Sequence, residues 1–332
     1  MIHRMKPRIV VTNRIHAEVA ARLLEVGELD VNTDVEPLDY AALGQKLNRA
    51  TAMMGFMTDR VDGAMLADAP HLRIVACALK GFDSYDVNAC TEAGVWVSIV
   101  PDLLTEPTAE LAVGLAISLA RQIRAADQYV RDGRFAGWRP LFYGKGLAGS
   151  TVTIIGLGKV GQAIAKRLSG FGCRMLGVDP GRPEIAGLEH VSLAEGIQSA
   201  DYVMLVVPLT KSTLHMIDAK LLRLAKQHSL WINVGRGSVL DEEAIADRLA
   251  AGEIGAYAAD VFEFEDWLLE TRPTRLSPRL LNAPNTLFTP HIGSAVERVR
   301  LAIEHRAADN IIAVLSGNAP PDAINQPRLT TQ

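Results

Sequence analysis

The sequence is poor in cysteine, with only three residues, at positions 77, 90 and 173. An odd number of cysteines without C-x-x-C pairs or metal-ligand spacing argues against a disulfide-stabilised scaffold and against a zinc site. We expect the three thiols to be reduced and mostly in the core. No metal site is predicted.

Long apolar runs and a strong excess of one charge are also missing. The longest nearly apolar stretch, Leu111 to Ala120, is far too short for a membrane span, and the start MIHRMKPRIVVT has no apolar core of signal-peptide length. Lys and Arg number 34 against 38 Asp and Glu, a net charge of −4, so neither a nucleic-acid surface nor a membrane surface is indicated. We expect a cytoplasmic protein.

The chain is long, and its apolar runs alternate with helical segments. Its 332 residues, 48% of them hydrophobic, are enough for two domains with cores. Residues 8–100 alternate short apolar runs with helical segments, which predicts a parallel sheet with helices on both faces. The predicted strands are Arg8–Thr12, Glu28–Asn32, Thr51–Phe56, Leu72–Ala76 and Val95–Ile99, with helices Ile15–Val26 and Leu38–Asn48.

A glycine-rich turn follows the first predicted strand of the second part of the chain. The strand Val152–Ile155 is followed by Gly156, Gly158 and Gly161 in G-x-G-x-x-G spacing, then by a helix, a strand and Asp179. These glycines permit a tight turn, the approach of a pyrophosphate and close helix packing, while the acid can accept hydrogen bonds from a ribose diol. The pattern predicts dinucleotide binding. The charge of Asp179 favours NAD over NADP, which carries a 2′-phosphate.

A long helix and an aromatic loop precede this turn. Pro107 suits a first helical turn, and an amphipathic pattern runs from Ala109 to Val130 and ends at Gly133. Residues 134–150 form a glycine-rich loop whose aromatic side chains either pack beneath it or serve the site. Further strands are predicted at Tyr202–Val207, Leu230–Val234, Ala256–Val261 and Thr286–Thr289, and a last helix at Val296–Leu315.

Polar residues follow three of these strands. Arg236 lies between two glycines, Asp260 and Glu265 follow the next strand, and His291 follows the last. Ligands bind at the carboxyl ends of such strands. Arg236 can bind an anion with its planar fork, and Glu265 can fix the tautomer of His291, which then transfers a proton as hydride leaves. A loop Arg and a lone Glu or His are more often solvated. The other seven histidines are expected to be surface or packing residues.

These motifs make the chain resemble the D-2-hydroxyacid dehydrogenase family over essentially its whole length. The shared pattern includes the glycine fingerprint, N-x-x-R-G at Asn233–Gly237, D-x-x-x-x-E at Asp260–Glu265 and P-H-I-G at Pro290–Gly293. The resemblance implies two Rossmann-like α/β domains with the active site in the cleft between them. Residues 1–102 plus 292–332 would form a flavodoxin-like substrate domain and residues 103–291 the NAD domain, through which a homodimer would form.

The resemblance also implies roles for individual residues. The catalytic set would be Arg236, Glu265 and His291, and Asp260 would hold the nicotinamide carboxamide. The full cofactor set would be Thr108, Gly156, Gly158, Lys159, Val160, Gly161, Asp179, Pro208, Thr213, Val234, Asp260 and Gly293.

Within that family the chain is most similar to the phosphonate dehydrogenases, which oxidise phosphite to phosphate with NAD. The similarity lies in Ala52–Asp62, Cys77–Asp83, Val100–Ala112, Gly137–Gly144 and Phe288–Arg300. It implies that Met57, Lys80, Gly81, Trp138, Tyr143, Ser294 and Arg300 surround the substrate. Two alternatives stay open: a dehydrogenase or reductase of a small D-2-hydroxyacid, and a non-catalytic NAD-sensing scaffold.

Overall fold

The computed structural model describes residues 6–266 and 271–327 of the chain. The chain divides into two compact units. The first unit comprises the residues up to Leu104 and those from Ala295 onward, and the second unit is Thr105–Ser294. The boundaries expected from the sequence fall after residues 102 and 291.

The first unit is a five-stranded sheet with every strand pair parallel, in the order β2-β1-β3-β4-β5. Its strands alternate with helices, as the sequence predicts: β1 (Arg8–Val11), α1 (Ala17–Val26), β2 (Glu28–Val31), α2 (Tyr40–Leu47), β3 (Ala52–Gly55), α3 (Gly63–Ala67), β4 (Ile74–Cys77), α4 (Val87–Glu92) and β5 (Trp96–Ser98).

Successive side chains of these strands enter two different cores. Ile9 and Val11 lie in one apolar cluster and Val10 lies in the other, on the opposite face of the sheet. Burial on both faces is why the strands read as continuous apolar runs instead of alternating ones. The predicted parallel sheet with helices on both faces is confirmed.

The second unit is a seven-stranded parallel sheet in the order β12-β11-β10-β9-β6-β7-β8. Its elements are α5 (Thr105–Ala120), α6 (Ile123–Arg131), β6 (Thr151–Ile155), α7 (Lys159–Leu168), β7 (Arg174–Val178), β8 (Leu188–His190), α8 (Leu193–Ser199), β9 (Tyr202–Leu205), α9 (Ala219–Leu222), β10 (Leu230–Asn233), α10 (Glu242–Ala250), β11 (Ala256–Ala259), α11 (Pro278–Asn282) and β12 (Thr286–Phe288). Two short 3-10 turns, Gly237–Val239 and Glu263–Glu265, follow β10 and β11.

The order of strands fixes where a ligand fits in this unit. The chain runs outward from β6 through β7 to β8 and then returns to the other side of β6 at β9. This reversal opens a crevice beyond the carboxyl ends of β6 and β9, the usual binding place in such sheets. Gly156 begins the turn at the end of β6 and therefore lies at this crevice.

The prediction of a single helix from Ala109 to Val130 is wrong. The structure has two helices in this stretch, α5 and α6. Gln122 takes a left-handed conformation with φ 52°. A continuous helix would pair the Ala120 carbonyl with the amide four residues on, but this carbonyl accepts the amide of Lys145 at 3.1 Å instead. The aromatic loop returning past the helix therefore takes the hydrogen bond that would have continued it.

Helix α12 (Glu297–Leu315) ends the regular structure and belongs to the first unit. Its Ile303, Ala307 and Ile311 pack in the same core as Ile9 and Val11. None of the helices within residues 6–266 and 271–327 is both long enough and apolar enough to cross a membrane.

Candidate active site

The turn after β6 has the geometry of a phosphate-binding loop. Gly156 has φ 97°, and a Cβ on Gly161 would lie 2.0 Å from the Gly156 carbonyl oxygen, so both positions require glycine. No neighbouring atom lies within 4 Å of the Cβ position at Gly158, which starts α7 without a side-chain cap. The first amides of α7, at Lys159 and Val160, therefore retain their capacity to bind a pyrophosphate.

Asp179 is held beside this turn by two backbone amides. One carboxylate oxygen accepts the Leu157 amide and the other accepts the Gly181 amide, both at 2.7 Å. Each oxygen keeps a second lone pair, so the carboxylate can still accept a ribose diol. Arg182 donates to the His190 carbonyl at 3.3 Å, which ties its guanidinium to β8. These residues fit the adenosine half of a dinucleotide.

His291 and Glu265 form a hydrogen-bonded pair in the second unit. Nδ1 of His291 lies 2.6 Å from one oxygen of Glu265, and the other oxygen accepts the Phe262 amide at 2.9 Å. Because Nδ1 is engaged, Nε2 is the nitrogen that can exchange a proton with a substrate. Each side chain is about a quarter exposed. The arrangement can perform general acid–base chemistry.

The backbone of His291 takes a left-handed conformation, with φ 54°. Asp260 holds this turn: its two oxygens accept the amides of Ile292 and Gly293 at 2.8 Å each, and one also accepts the Thr289 hydroxyl at 2.6 Å. Burial raises the pKa of Asp260, and these hydrogen bonds oppose that rise. An unfavourable backbone conformation beside a functional group is typical of sites whose surroundings impose the geometry.

Arg236 lies where the chain leaves β10 in contact with the segment after β11. A Cβ on Gly237 would lie 2.0 Å from the carbonyl carbon of Phe262, so only glycine permits this approach. Asn233 donates its side-chain amide to the Arg236 carbonyl at 2.9 Å, and one Arg236 nitrogen donates to the Gly235 carbonyl at 2.9 Å. The structure thus brings the Arg236 segment against the segment that carries Glu265.

The other predicted cofactor residues of the second unit lie near the strand ends. Thr213 donates its hydroxyl to the Pro208 carbonyl at 2.7 Å, and the Val234 amide donates to the Leu205 carbonyl at 3.1 Å. A Cβ on Gly293 would lie 3.2 Å from the Thr108 hydroxyl oxygen, so Thr108 borders the His291 turn. Ser294 is buried. Trp138 and Tyr143 are exposed, at 80% and 75% of their surface.

In the first unit, the predicted substrate residues lie at the carboxyl ends of β3 and β4. Met57 follows β3, and Lys80 and Gly81 follow β4. Arg300 donates to the Ala78 carbonyl at 3.5 Å, and its guanidinium carbon lies 5.7 Å from the centre of the Phe56 ring. Burial lowers the pKa of Arg300.

Sequence reasoning missed two buried acidic features. Asp59 accepts the Phe56 amide at 2.6 Å and the Thr12 hydroxyl beneath the Met57 loop, and burial raises its pKa to about 6. In the second unit, Glu242 and Glu263 form a buried pair, and His215, expected to be a surface or packing residue, contacts Glu263 at 2.9 Å. The only sequence signal was an acidic start to α10, which is common in helices. Within residues 6–266 and 271–327, no three His, Cys, Asp or Glu residues form a group able to hold a metal.

Comparisons with known proteins agree with this geometry. Residues 113–293 match the model of the D-isomer specific 2-hydroxyacid dehydrogenase NAD binding domain. Glyoxylate reductase of Thermococcus litoralis is 35% identical, with 98% of this chain and 99% of the relative covered, and that of Korarchaeum cryptofilum is 36% identical, with 97% of each covered. These relatives support the family, and they do not support its phosphonate dehydrogenase branch.

Solved structures show the same fold. A Thermus thermophilus protein superposes with a TM-score of 0.87 at 32% identity, covering 96% of this chain and 100% of that one. An NADPH-dependent glyoxylate/hydroxypyruvate reductase from Sinorhizobium meliloti, solved with NADP and malonate, gives 0.83 at 31% identity, covering 96% and 97%. The chain therefore belongs to the D-isomer specific 2-hydroxyacid dehydrogenase family and is an oxidoreductase with an NAD-binding domain.

Proposed function

We propose that this chain transfers hydride between a small anionic substrate and NAD, with His291 as the acid–base. The observation that carries this proposal is the 2.6 Å pair of His291 and Glu265 in the same unit as the phosphate-binding turn. When bound, the nicotinamide takes up or gives the hydride. Nε2 of His291 handles the accompanying proton, and Arg236 binds the anion. The intact pair argues against a non-catalytic NAD-sensing scaffold.

For the substrate, we propose phosphite, oxidised to phosphate. The supporting observation is that Lys80 follows β4 and that Arg300, on α12, donates to the Ala78 carbonyl just after the same strand. Phosphite is mostly a dianion near neutral pH, so it gains more than a monocarboxylate does from two cationic side chains. Water would attack phosphorus, the P–H bond would break with its electron pair passing to NAD, and His291 would take a proton from the water.

The second candidate is a small D-2-hydroxyacid or the corresponding 2-oxoacid, and the comparisons favour it over phosphite. The relatives named above are glyoxylate reductases, at 35 to 36% identity over nearly the whole chain. In this reaction His291 would take the hydroxyl proton during oxidation, or return it during reduction, and Arg236 would bind the carboxylate. No water would be consumed.

A direct assay separates the two candidates. We expect NADH to form from NAD and phosphite, with phosphate as the product, and to form far more slowly from a panel of D-2-hydroxyacids. Lys80→Ala should raise KM for phosphite about 10- to 100-fold, because a charge-assisted contact to a dianion is lost. Arg73→Ala, which removes a positive charge at the opposite end of β4, is the matched control. Turnover of organic acids with no reaction of phosphite would rule out phosphite and make the D-2-hydroxyacid the substrate.

We propose that NAD is preferred over NADP because of Asp179. A carboxylate about 4 Å from a 2′-phosphate costs roughly 1–4 kcal/mol, or about tenfold to several-hundredfold in relative efficiency. Asp179→Asn keeps an acceptor for one of the two neighbouring amides and should move the ratio of kcat/KM towards NADP by such a factor. Glu189→Gln, an exposed neutralisation on β8, should leave the ratio unchanged. Equal efficiency with both cofactors in the wild type would contradict the proposal.

We also propose a homodimer formed through the second unit. Helix α6 has no buried residue, and apolar side chains on it and after it are exposed, among them Ile123, Val130, Phe135, Trp138 and Tyr143. Large apolar side chains exposed along one stretch of the chain favour an interface at that stretch. Light scattering should give about twice the 35.9 kDa chain mass, whereas a monomer at micromolar concentration would contradict the proposal. A cytoplasmic location stays a prediction.

A further inference from the structure

Three carboxyl groups are buried near Glu265, within the second unit. Glu242 is 3% exposed, Glu263 8% and Asp266 2%. Glu242 begins α10, while the other two flank Glu265 along the chain. Acidic side chains are rarely buried this completely unless they are hydrogen-bonded for a structural or functional purpose.

The first two groups exchange hydrogen bonds. The Glu242 amide donates to the Glu263 carboxyl at 3.1 Å, and the Glu263 amide donates to the Glu242 carboxyl at 2.9 Å. Asp266 accepts the Ser238 amide at 2.8 Å. His215 completes the group, since its Nε2 contacts Glu263 at 2.9 Å and its amide donates to the Ser238 carbonyl at 2.7 Å.

These bonds join the two segments that present the site. Ser238 and Glu242 belong to the chain that follows Arg236, whereas Glu263 and Asp266 flank Glu265. Any separation of the two segments would break both reciprocal bonds and the Ser238 bond, and would leave buried amides without acceptors. Leaving such groups unsatisfied costs free energy, so these three bonds hold the two segments rigidly together. We call this set of bonds the joint.

We propose that Glu242 is a positioning residue that locks the Arg236 segment to the Glu265 turn and so sets the orientation of His291. The proposal rests on the function proposed above for Arg236, Glu265 and His291. Glu242 touches none of the reacting groups in this scheme. It acts through Glu263, two residues before Glu265 in the same turn.

The charges around Glu242 explain why its proton matters. Glu263, Glu265 and Asp266 face it with like charge, Asp241 adds to the field at Glu263, and the buried Tyr257 ring lies on the β11 side. The imidazole of His215 contacts Glu263 at 2.9 Å. Burial raises the pKa of Glu242 to about 8, and burial also raises that of Glu263.

The direction of the pH effect follows from this shift. The folded pKa of Glu242 exceeds the ordinary value of 4.5, so the folded state holds the proton more tightly than the unfolded state does. The stabilisation is complete at acidic pH and is lost as the pH rises through about 8. Above that pH, ionised Glu242 repels its three acidic neighbours, and the joint loosens.

Two substitutions at Glu242 and one at its neighbour test the proposal. Glu242→Gln keeps the acceptor for the Glu263 amide and imitates the protonated acid, whereas Glu242→Ala removes that acceptor and leaves the Glu263 amide unpaired. We expect Glu242→Ala to lower kcat about 10- to 100-fold with the KM for NAD unchanged, as for a small misplacement of catalytic groups. Glu242→Gln should keep near wild-type kcat at pH 7 and should lose the decline of kcat above pH 8. Glu243→Ala, on the exposed face of α10, is the control.

A measurement without turnover separates this proposal from the function on which it rests. The Nδ1 proton of His291, assigned in NMR spectra by its absence from His291→Asn, reports the bond to Glu265. We expect its signal to persist in Glu242→Gln and to shift or disappear in Glu242→Ala, with thermal unfolding showing both variants folded. An unchanged Nδ1 signal together with kcat within twofold of wild type in Glu242→Ala would overturn the positioning role. If the wild type turned over neither phosphite nor a hydroxyacid, only the proposed function would fail, and the signal would still decide the role of Glu242.

Discussion

Replacing His291 by asparagine should lower kcat by about 10²- to 10⁴-fold, the usual contribution of a positioned acid–base. Asparagine cannot exchange the proton that Nε2 of His291 handles when hydride moves. Because the predicted cofactor residues Gly158 and Asp179 follow β6 and β7, far along the chain from His291, NAD binding should change little. Steady-state kinetics with varied NAD and substrate, combined with NAD titration by fluorescence, would show this separation of kcat from affinity.

Two further variants sharpen the test of His291. Glu265→Gln should give a smaller loss, about 10- to 100-fold, because the imidazole keeps its chemistry but loses the carboxylate that orients it at 2.6 Å. His228→Asn, at an exposed histidine of the same unit whose backbone carbonyl accepts the Lys145 side chain, should retain wild-type activity. If His291→Asn kept more than a tenth of wild-type kcat, another group would have to be the acid–base.

Local sequence patterns predicted the scaffold well. The strands β1 to β7 and β9 to β12 each overlap a predicted strand, with β4 and β6 extending one residue beyond the prediction, and their parallel pairing followed from the alternation with helices. The glycine spacing likewise predicted the turn at Gly156, whose positive φ the structure shows. These features depend on neighbours in sequence, so one sequence suffices to read them.

Contacts between distant segments could not be read in the same way. The break at Gln122 depends on Lys145 returning to the Ala120 carbonyl, and nothing local in an amphipathic run signals that. The joint between Glu242 and Glu263 pairs residues 21 apart through backbone amides. An acidic helix start has an ordinary explanation in the helix dipole, so the pattern does not single out Glu242 as buried.

Asp260 shows the same limit at the centre of the site. Sequence resemblance assigned it to the nicotinamide carboxamide, and that role stays a prediction. In the structure both oxygens hold the turn that carries His291. Asp260→Ala would leave the buried Gly293 amide and the part-buried Ile292 amide without acceptors, at about 1–3 kcal/mol each. We expect a loss of unfolding free energy on the order of 2–5 kcal/mol and a fall in kcat of about 100-fold as His291 leaves its position.

The two roles of Asp260 give different results. If it holds the His291 turn, urea unfolding without NAD should already show the lost stability, because the bonds to the turn exist without a cofactor. If it served the carboxamide alone, Asp260→Ala would unfold like wild type without NAD, and only KM for NAD would rise. Asp218→Ala is a matched control: this exposed aspartate accepts one amide, that of Leu221 at 2.8 Å, so its loss should cost about 0.5–2 kcal/mol and leave kcat unchanged. A difference between these two variants in both stability and kcat would therefore measure what a buried carboxylate with two amide donors contributes to the orientation of His291.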